Sequence, residues 1–248
     1  MPVLSAPPTL PADEAPPDGV RSPLAPRSSR RRRVLRRAGK IAGLCVLAYV
    51  SLWLAAVLGT LGVSFWAREH YSDGERVAGI NHFLRVDDQV WRGSAPRPDG
   101  YEALAERGIT TVIDLRAEDL SERQLGHPGE AGLDLVRLPI RDGQTPTEEQ
   151  VASFLTAVEN APGPVYVHCG AGVGRTGAMA AAYLVTTGQA DSQQAALRNL
   201  AVGPPSVEQI YYALTTDPGD TAQPPLPVQA LSRALDAPRR INASLSLF

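Results

Sequence analysis

The sequence predicts an α/β fold in which a central twisted mixed sheet of about four to five strands is flanked by helices and is preceded by one N-terminal transmembrane helix. Two observations predict this architecture. From about residue 80 onward, short β-branched or apolar runs alternate with stretches of helical character. Before them, residues 41–67 form an apolar run without a charge, which is long enough to cross a bilayer.

The globular part begins with a predicted strand or strand pair and continues as an alternation of strands and helices. The predicted strands are residues 84–91, 109–115, 133–140 and 164–168. The predicted helices are residues 99–107, 178–187, 192–200 and 206–214. One further helix is predicted to start at a capping box formed by Thr145, Pro146 and Glu148.

Composition divides the chain into successive segments. Residues 1–29 are rich in proline and lack an apolar period, so they are predicted to be a disordered tail. Residues 30–40 form a basic juxtamembrane segment, and residues 80–215 form the globular domain. Residues 216–248 are again rich in proline and are predicted to be a flexible C-terminal tail, with a short helical pattern at residues 226–235.

Charge is distributed unevenly along the chain. The first 40 residues carry nine basic and three acidic side chains, and the remainder carries 15 basic and 23 acidic ones. An acidic domain offers no cluster of basic side chains to a phosphate backbone, so nucleic acid is not an expected partner of the domain. The arginine run at residues 30–33 also fits a patch that binds nucleic acid or anionic lipid, which is compatible with a membrane anchor.

The charge-free run of residues 41–67 is predicted to be an uncleaved membrane anchor with aromatic residues Phe65 and Trp66 at its far interface. A buried core helix would seldom be apolar on every face. A cleaved signal has an apolar region of about 7 to 15 residues and ends in small residues. A twin-arginine export signal at residues 29–33 is a weak match.

The orientation of this anchor follows from the basic residues on either side of it. Residues 21–40 carry nine and residues 68–87 carry three. Because basic residues stay on the cytoplasmic side, the chain is predicted to be a single-pass protein of the cell membrane. Its N-terminus would be cytoplasmic and its globular domain extracytoplasmic.

The chemistry is concentrated in the run HCGAGVGRTG, where the last predicted strand turns into an apolar helix. Cys169 and Arg175 are separated by five residues, and glycines let backbone N–H groups point at an anion near the helix N-terminus. These features predict a nucleophilic thiolate at Cys169, a phosphate fork at Arg175 and a supporting hydroxyl at Thr176. The predicted phosphate-binding backbone is Gly170, Ala171, Gly172, Val173 and Gly174.

Other interpretations of this run are weaker. Gly172, Gly174 and Gly177 match a dinucleotide fingerprint, but no second strand ending in an acidic residue follows. A nucleotide P-loop would need glycine at 169 and lysine at 175. Cys169 could be a small buried core residue, but this interpretation gives no reason for an arginine at position 175. His168 is predicted to be a hydrogen-bonded supporting residue.

The signature of His168 to Gly177 resembles that of the protein-tyrosine phosphatase superfamily, and VWRGSAP and TTVIDLR resemble its compact dual-specificity members. The resemblance implies a cysteine-phosphatase fold, a phosphocysteine intermediate, no metal or other cofactor, and an aspartate on a separate loop as general acid. Asp142, in PIRDGQTP, is the candidate for this acid, although Asp-Gly is also a common turn pair. Weaker substitutes are Asp134, Glu118 and Asp119.

The expected substrates are phosphotyrosine or dual-specificity protein substrates, or small phosphomonoesters. Phosphoinositides are disfavoured because Gly170 and Val173 stand where relatives that act on them carry lysine. A catalytically idle phosphate-binding module and a membrane scaffold with a proline-rich tail remain as alternatives. Cys45 is the only other cysteine, so an extracytoplasmic Cys169 would have no thiol partner in its domain and would be open to oxidation.

Overall fold

A computed structural model describes the backbone of residues 27–245 and the side chains of residues 32–238. The predicted disordered tail, residues 1–29, lies outside the described residues except for residues 27–29, which belong to the first helix. The chain divides into two compact units at Val50 and Ser51. The second unit contains the whole sheet.

Six strands form a single mixed sheet, which confirms the predicted fold class. They are β1 (Glu75–Val77), β2 (Ile80–Arg85), β3 (Val90–Gly93), β4 (Thr111–Arg116), β5 (Asp134–Ile140) and β6 (Val165–His168). Their order is β1-β2-β3-β6-β4-β5, with β1, β2 and β3 antiparallel and the remaining neighbours parallel. The strand count exceeds the prediction because the run predicted at residues 84–91 is divided between two strands and the short β1 precedes them.

The described part of the chain has eight helices, which are α1 (Arg27–Arg68), α2 (Pro98–Glu106), α3 (Glu122–Glu130), α4 (Glu148–Asn160), α5 (Gly174–Thr186), α6 (Ser192–Val202), α7 (Val207–Thr215) and α8 (Leu226–Leu245). Some of them pack on the two faces of the sheet. Alternate residues of β6 point to opposite faces. Val165 and Val167 therefore pack with α4, α5 and α7, whereas Tyr166 packs with α2.

The start of α4 differs from the prediction. The capping box is formed by Thr147 and Gln150, whose side chain accepts a hydrogen bond from the Thr147 N–H at 2.9 Å. Thr145 is instead buried, and its hydroxyl donates to Gln223 at 3.0 Å. Both threonines are followed three residues later by a Glu or Gln, so the local pattern fits either start, and the tertiary contact of Thr145 decides between them.

The C-terminal segment also differs from the predicted flexible tail. Within residues 216–248, helix α8 is formed, and it packs against α7. Ser232 is buried, and its Oγ accepts a hydrogen bond from the Glu208 N–H at 3.2 Å. This bond caps an N-terminal N–H group of α7.

Helix α1 contains a stretch, Arg32–Arg68, that is long and apolar enough to cross a membrane, by length and composition. In the first unit its large apolar side chains, Ile41, Leu44 and Leu47 among them, are exposed. In the second unit Trp53 Nε1 donates to the Leu235 carbonyl at 3.2 Å and Ser64 Oγ donates to the Leu200 carbonyl at 2.6 Å. These two contacts lie inside the run predicted to span the bilayer.

Candidate active site

The candidate site lies at the carboxyl ends of the parallel strands β4, β5 and β6. Asp114 of β4 is in register with His168 of β6, so the residues that follow the three strands meet at one edge of the sheet. Glu118, Asp142 and Cys169 therefore line one cavity of about 340 Å³, which we call the catalytic cavity. Its other described lining residues are Gly143, Gly170, Ala171, Val173, Gly174, Arg175, Pro204, Pro205, Ser206 and Gln209.

The cysteine loop, residues 169–173, connects β6 to α5 and is held by the strand beside it. Gly172 has a φ of +77°, and a Cβ at this position would collide with the backbone of Gly93. The Gly170 carbonyl accepts a hydrogen bond from the Ala95 N–H at 2.9 Å. Glycine at 172 is thus required both by the backbone conformation and by the close approach of β3.

A second support for the loop is Arg92 of β3, which the sequence did not mark as functional. Its Nη2 donates to the Gly172 carbonyl at 2.8 Å and to Asn199 Oδ1 at 3.2 Å. Burial lowers the pKa of Arg92 to about 10, although the nearby Cys169 sulfur acts in the opposite direction. The arginine stays charged at neutral pH and fixes the loop from behind.

Cys169 and Arg175 are brought together at the base of the catalytic cavity. Cys169 is a free thiol with 3% of its surface exposed. Arg175 Nη1 and Nη2 each donate to Glu118 at 2.8 Å, and Nη1 also donates to the Ile140 carbonyl at 3.0 Å. Arg175 Nε has no hydrogen-bond partner among the described residues. Glu118 thus orients the guanidinium, and the Nε N–H remains without a partner among the described residues.

The acidic residues considered as general acids occupy different places. Asp142 lines the catalytic cavity, with its side chain 53% exposed and its Oδ1 3.5 Å from Arg175 Nη2. Glu118 lines it too, but the hydrogen bonds from Arg175 lower the pKa of Glu118 and keep it ionised. Asp134 is at the opposite end of β5, and Asp119 is exposed outside the lining. As the candidate for the general acid, Asp142 therefore fits its position better than Glu118, Asp119 or Asp134 does.

His168 is buried directly before the cysteine. Its Nδ1 lies 3.0 Å from the Cys169 carbonyl, and since a carbonyl only accepts, the proton is on Nδ1. Burial lowers the pKa of His168 to about 4, although Asp114, 3.9 Å away, acts in the opposite direction. The neutral ring supports the loop backbone, which matches a scaffold role better than proton transfer.

This burial predicts a pH dependence of stability. The pKa of His168 is about 4 in the folded chain and 6.5 ordinarily, so the unfolded chain binds the extra proton between these values. The unfolding free energy should therefore fall as pH drops from 6.5 to 4, by up to about 3 kcal/mol from this residue. Denaturant unfolding at several pH values should show a shallower fall for His168→Asn than for the wild type. Equal slopes would contradict the prediction.

Thr176 is buried at the start of α5, and its Oγ1 has no hydrogen-bond partner among the described residues. The Thr176 hydroxyl, predicted to be a supporting group, therefore makes no hydrogen bond to the Cys169 sulfur in this structure.

Gln209 is a lining residue that sequence reasoning missed. It is buried, its Nε2 donates to the Gln144 carbonyl at 2.9 Å, and its Oε1 accepts from the Ser206 N–H at 3.0 Å. The pattern Ser206-x-x-Gln209 signals a capping box in the sequence, but its position beside Gly174 follows only from the packing of α7. Within the described part of the chain, no group of three or more His, Cys, Asp or Glu side chains is arranged to hold a metal ion.

The sheet and the cysteine loop match a known family of domains. The model of the family described as "DSP-PTPase phosphatase fused to NAD+ Kinase" matches residues 76–212. The domain is therefore a phosphatase domain of the dual-specificity and tyrosine phosphatase class. Since the match covers more than half of the 248 residues, the chain belongs to this family.

Individual relatives match parts of the same domain. The chloroplastic NAD kinase 2 of Arabidopsis thaliana is 35% identical over 95 residues, which are 36% of this chain and 10% of that protein. The dual specificity protein phosphatase CDC14A of Mus musculus is 34% identical over 131 residues, which are 47% of this chain and 21% of that protein. The chain thus spans about a tenth to a fifth of the length of these curated relatives.

Solved structures are similar at lower identity. The core catalytic domain of the PP-IP phosphatase SIW14 from S. cerevisiae, in complex with citrate, is 20% identical to this chain, with a TM-score of 0.48. The alignment covers 56% of this chain and 87% of that one.

Proposed function

We propose that this protein is a cysteine-dependent phosphatase that hydrolyses phosphomonoesters of tyrosine or dual-specificity protein substrates through a phosphocysteine intermediate. The observation that carries the proposal is the arrangement of Cys169 and Arg175 in the catalytic cavity. A buried thiol lies beside a guanidinium whose Nε edge has no partner among the described residues, at the N-terminus of α5.

The first step is the transfer of the phosphoryl group to the enzyme. The phosphate dianion would bind the N–H groups of the cysteine loop and the Nε and Nη2 groups of Arg175. The Cys169 thiolate attacks phosphorus, the bond from phosphorus to the leaving oxygen breaks, and Asp142 gives its proton to that oxygen.

The second step returns the enzyme to its starting state. Asp142, now ionised, takes a proton from a water molecule that attacks phosphorus. The bond between sulfur and phosphorus breaks, and inorganic phosphate leaves. The Cys169 thiolate is then stabilised by the N-terminus of α5, and the Thr176 hydroxyl, which has no hydrogen-bond partner among the described residues, would donate to it once the thiolate has formed.

The charges of the catalytic cavity favour substrates with a single phosphate. Arg175 is the only basic side chain among its described lining residues, and Glu118 and Asp142 also line it. A head group with several phosphates would lack further cations to neutralise it. A phosphoinositide or small-molecule substrate is therefore the second candidate, behind a phosphorylated protein.

The proposal is tested by hydrolysis of an aryl phosphate by the full chain in nonionic detergent, with a metal chelator present. Chelator-resistant turnover is expected, with phosphotyrosine and phosphoserine peptides cleaved faster than a phosphoinositide. A folded protein that binds phosphate but turns over none of these substrates would instead be a phosphate-binding module.

Substitution of Asp142 tests its role as general acid. Asp142→Asn keeps the size of the side chain but removes its proton transfer, so kcat for an alkyl phosphate should fall about 100-fold. An aryl phosphate with an acidic leaving group needs less protonation and should be affected less. Asp119→Asn, an exposed carboxylate outside the cavity lining, is the matched control and should keep wild-type kcat. Equal losses for both leaving groups would contradict an acid role.

We propose further that α1 anchors the protein in the cell membrane as a single-pass helix, with the N-terminus cytoplasmic and the catalytic domain outside. Its exposed apolar side chains support the anchor, because a soluble surface rarely carries so many. Full insertion of residues 41–67 would separate Trp53 from Leu235. The protein should stay with membranes after alkaline extraction, and protease added outside intact cells should cut the domain. Release by alkali would contradict the anchor, and protection from protease would contradict the orientation.

A further inference from the structure

A second cavity of about 270 Å³ lies behind the cysteine loop, on another side of α5, and we call it the rear cavity. Four residues spaced along one face of α5 form one wall: Gly177, Ala180, Ala181 and Leu184. Strands β2 and β3, helix α6, and Tyr71 and Ser72 form the rest. None of its described lining residues also lines the catalytic cavity, so the two sites are separate.

The rear cavity has an unbalanced positive charge. Its described lining includes Arg85, Arg92 and Arg198 and contains no Asp or Glu. Arg85 is neutralised by an ion pair with Asp88. Arg198 is half-buried and makes no hydrogen bond or ion pair with any residue that the structure describes. A partly desolvated cation without a counter-charge favours the binding of an anion.

Arg92 adds a second, more deeply buried donor. Only 3% of its surface is exposed, and its Nε has no hydrogen-bond partner among the described residues. Its Nη2 is already used by the Gly172 carbonyl and by Asn199. An unsatisfied buried N–H group costs free energy, and because Arg92 lines the rear cavity, an anion bound there would lie against its guanidinium.

We propose that the rear cavity binds a small organic acid whose anionic group bonds to Arg198 and to the Arg92 guanidinium and whose apolar body packs against Ala180, Ala181 and Leu184. The volume of about 270 Å³ corresponds to about nine water molecules, which suits a short aliphatic or aromatic acid. The three apolar contacts exclude inorganic phosphate as the best ligand, because it has no surface to bury there.

A ligand bound in the rear cavity would affect the catalytic cavity through one side chain, Arg92. Arg92 contacts the cysteine loop at Gly172, so a ligand that holds Arg92 also holds the loop in its phosphate-binding conformation. The bound acid should lower KM for a phosphomonoester. This effect on turnover rests on the proposed phosphatase activity, whereas binding of the acid does not.

The test is titration calorimetry of the full chain in nonionic detergent, with hexanoate as the probe and hexanamide as its neutral analogue. Hexanoate should bind saturably and hexanamide should not. Arg198→Gln removes a charge from the rim of the cavity and should weaken hexanoate binding at least about tenfold. Arg123→Gln, an exposed arginine of α3 outside both cavities, is the matched control and should bind like the wild type.

Two results would overturn the proposal. One is the absence of hexanoate binding to protein whose unfolding transition shows that it is folded. The other is binding that inorganic phosphate displaces and that Arg198→Gln leaves unchanged, which would place hexanoate in the catalytic cavity. Hexanoate binding that depends on Arg198, in a protein without turnover, would support the rear cavity and contradict the phosphatase function.

Discussion

Cys169→Ser should lose at least about 1,000-fold in turnover of an aryl phosphate, because the hydroxyl that replaces the thiol is a far weaker nucleophile at neutral pH. The side chain lies at the base of the catalytic cavity with 3% of its surface exposed, so serine fits the same space. Binding of inorganic phosphate, measured by calorimetry, should persist, because the loop N–H groups and Arg175 remain. A phosphoenzyme should be trapped from the wild type and absent from the variant.

Cys45 provides a matched control for this experiment. It is the only other cysteine, and it lies in α1, far along the chain from the catalytic loop. Cys45→Ser should keep wild-type turnover and still form the phosphoenzyme. Substantial turnover by Cys169→Ser, or phosphoenzyme formation without Cys169, would exclude the proposed nucleophile.

Arg175→Lys should lower kcat/KM for the same substrate roughly 1,000-fold, which corresponds to about 4 kcal/mol of transition-state stabilisation. Lysine keeps the positive charge but cannot bond two phosphate oxygens through a planar fork. It also cannot reproduce the paired hydrogen bonds that Arg175 makes to Glu118 at 2.8 Å. Because the paired hydrogen bonds of the guanidinium are stronger in the transition state than in the bound substrate, kcat should fall by a larger factor than KM rises.

Arg141→Lys is the control for the loss of an arginine near the site. Arg141 is exposed, precedes Asp142 and is absent from the described lining of the catalytic cavity. Its substitution should change kcat/KM by less than about twofold. A similar loss in both variants would indicate that any arginine near the site can be lost at the same cost, and near-normal activity of Arg175→Lys would contradict the phosphate fork.

Local patterns were sufficient to predict much of the fold. The β-branched run before residue 116 and the apolar run before Cys169 are strands β4 and β6, because short buried runs bounded by turns have few alternatives. Two elements with weak sequence signals, β1 and α3, were not predicted. Strand β1 has three residues, and α3 contains Gly126, Pro128 and Gly129, so neither has a periodic apolar signal.

Boundaries that depend on distant contacts could not be predicted. Thr145 and Thr147 both fit the N-cap position of α4. Thr147 takes that position because the Thr145 hydroxyl is bonded to Gln223 instead. Helix α8 was expected as a flexible tail because its segment is rich in proline, and the burial of Ser232 against α7 stabilises it. Such contacts join residues far apart in sequence, which local propensity does not register.

By itself the sequence determined which residues the cysteine loop carries for the proposed chemistry, because Cys169, the glycines and Arg175 lie within one short run. It also determined the apolar length of α1. Only the tertiary structure decided which distant side chains serve that loop. Glu118 reaches Arg175 because β4 lies beside β6, and Arg92 reaches Gly172 because β3 lies on its other side. Strand order is set by packing of the whole sheet, so no local pattern contains it.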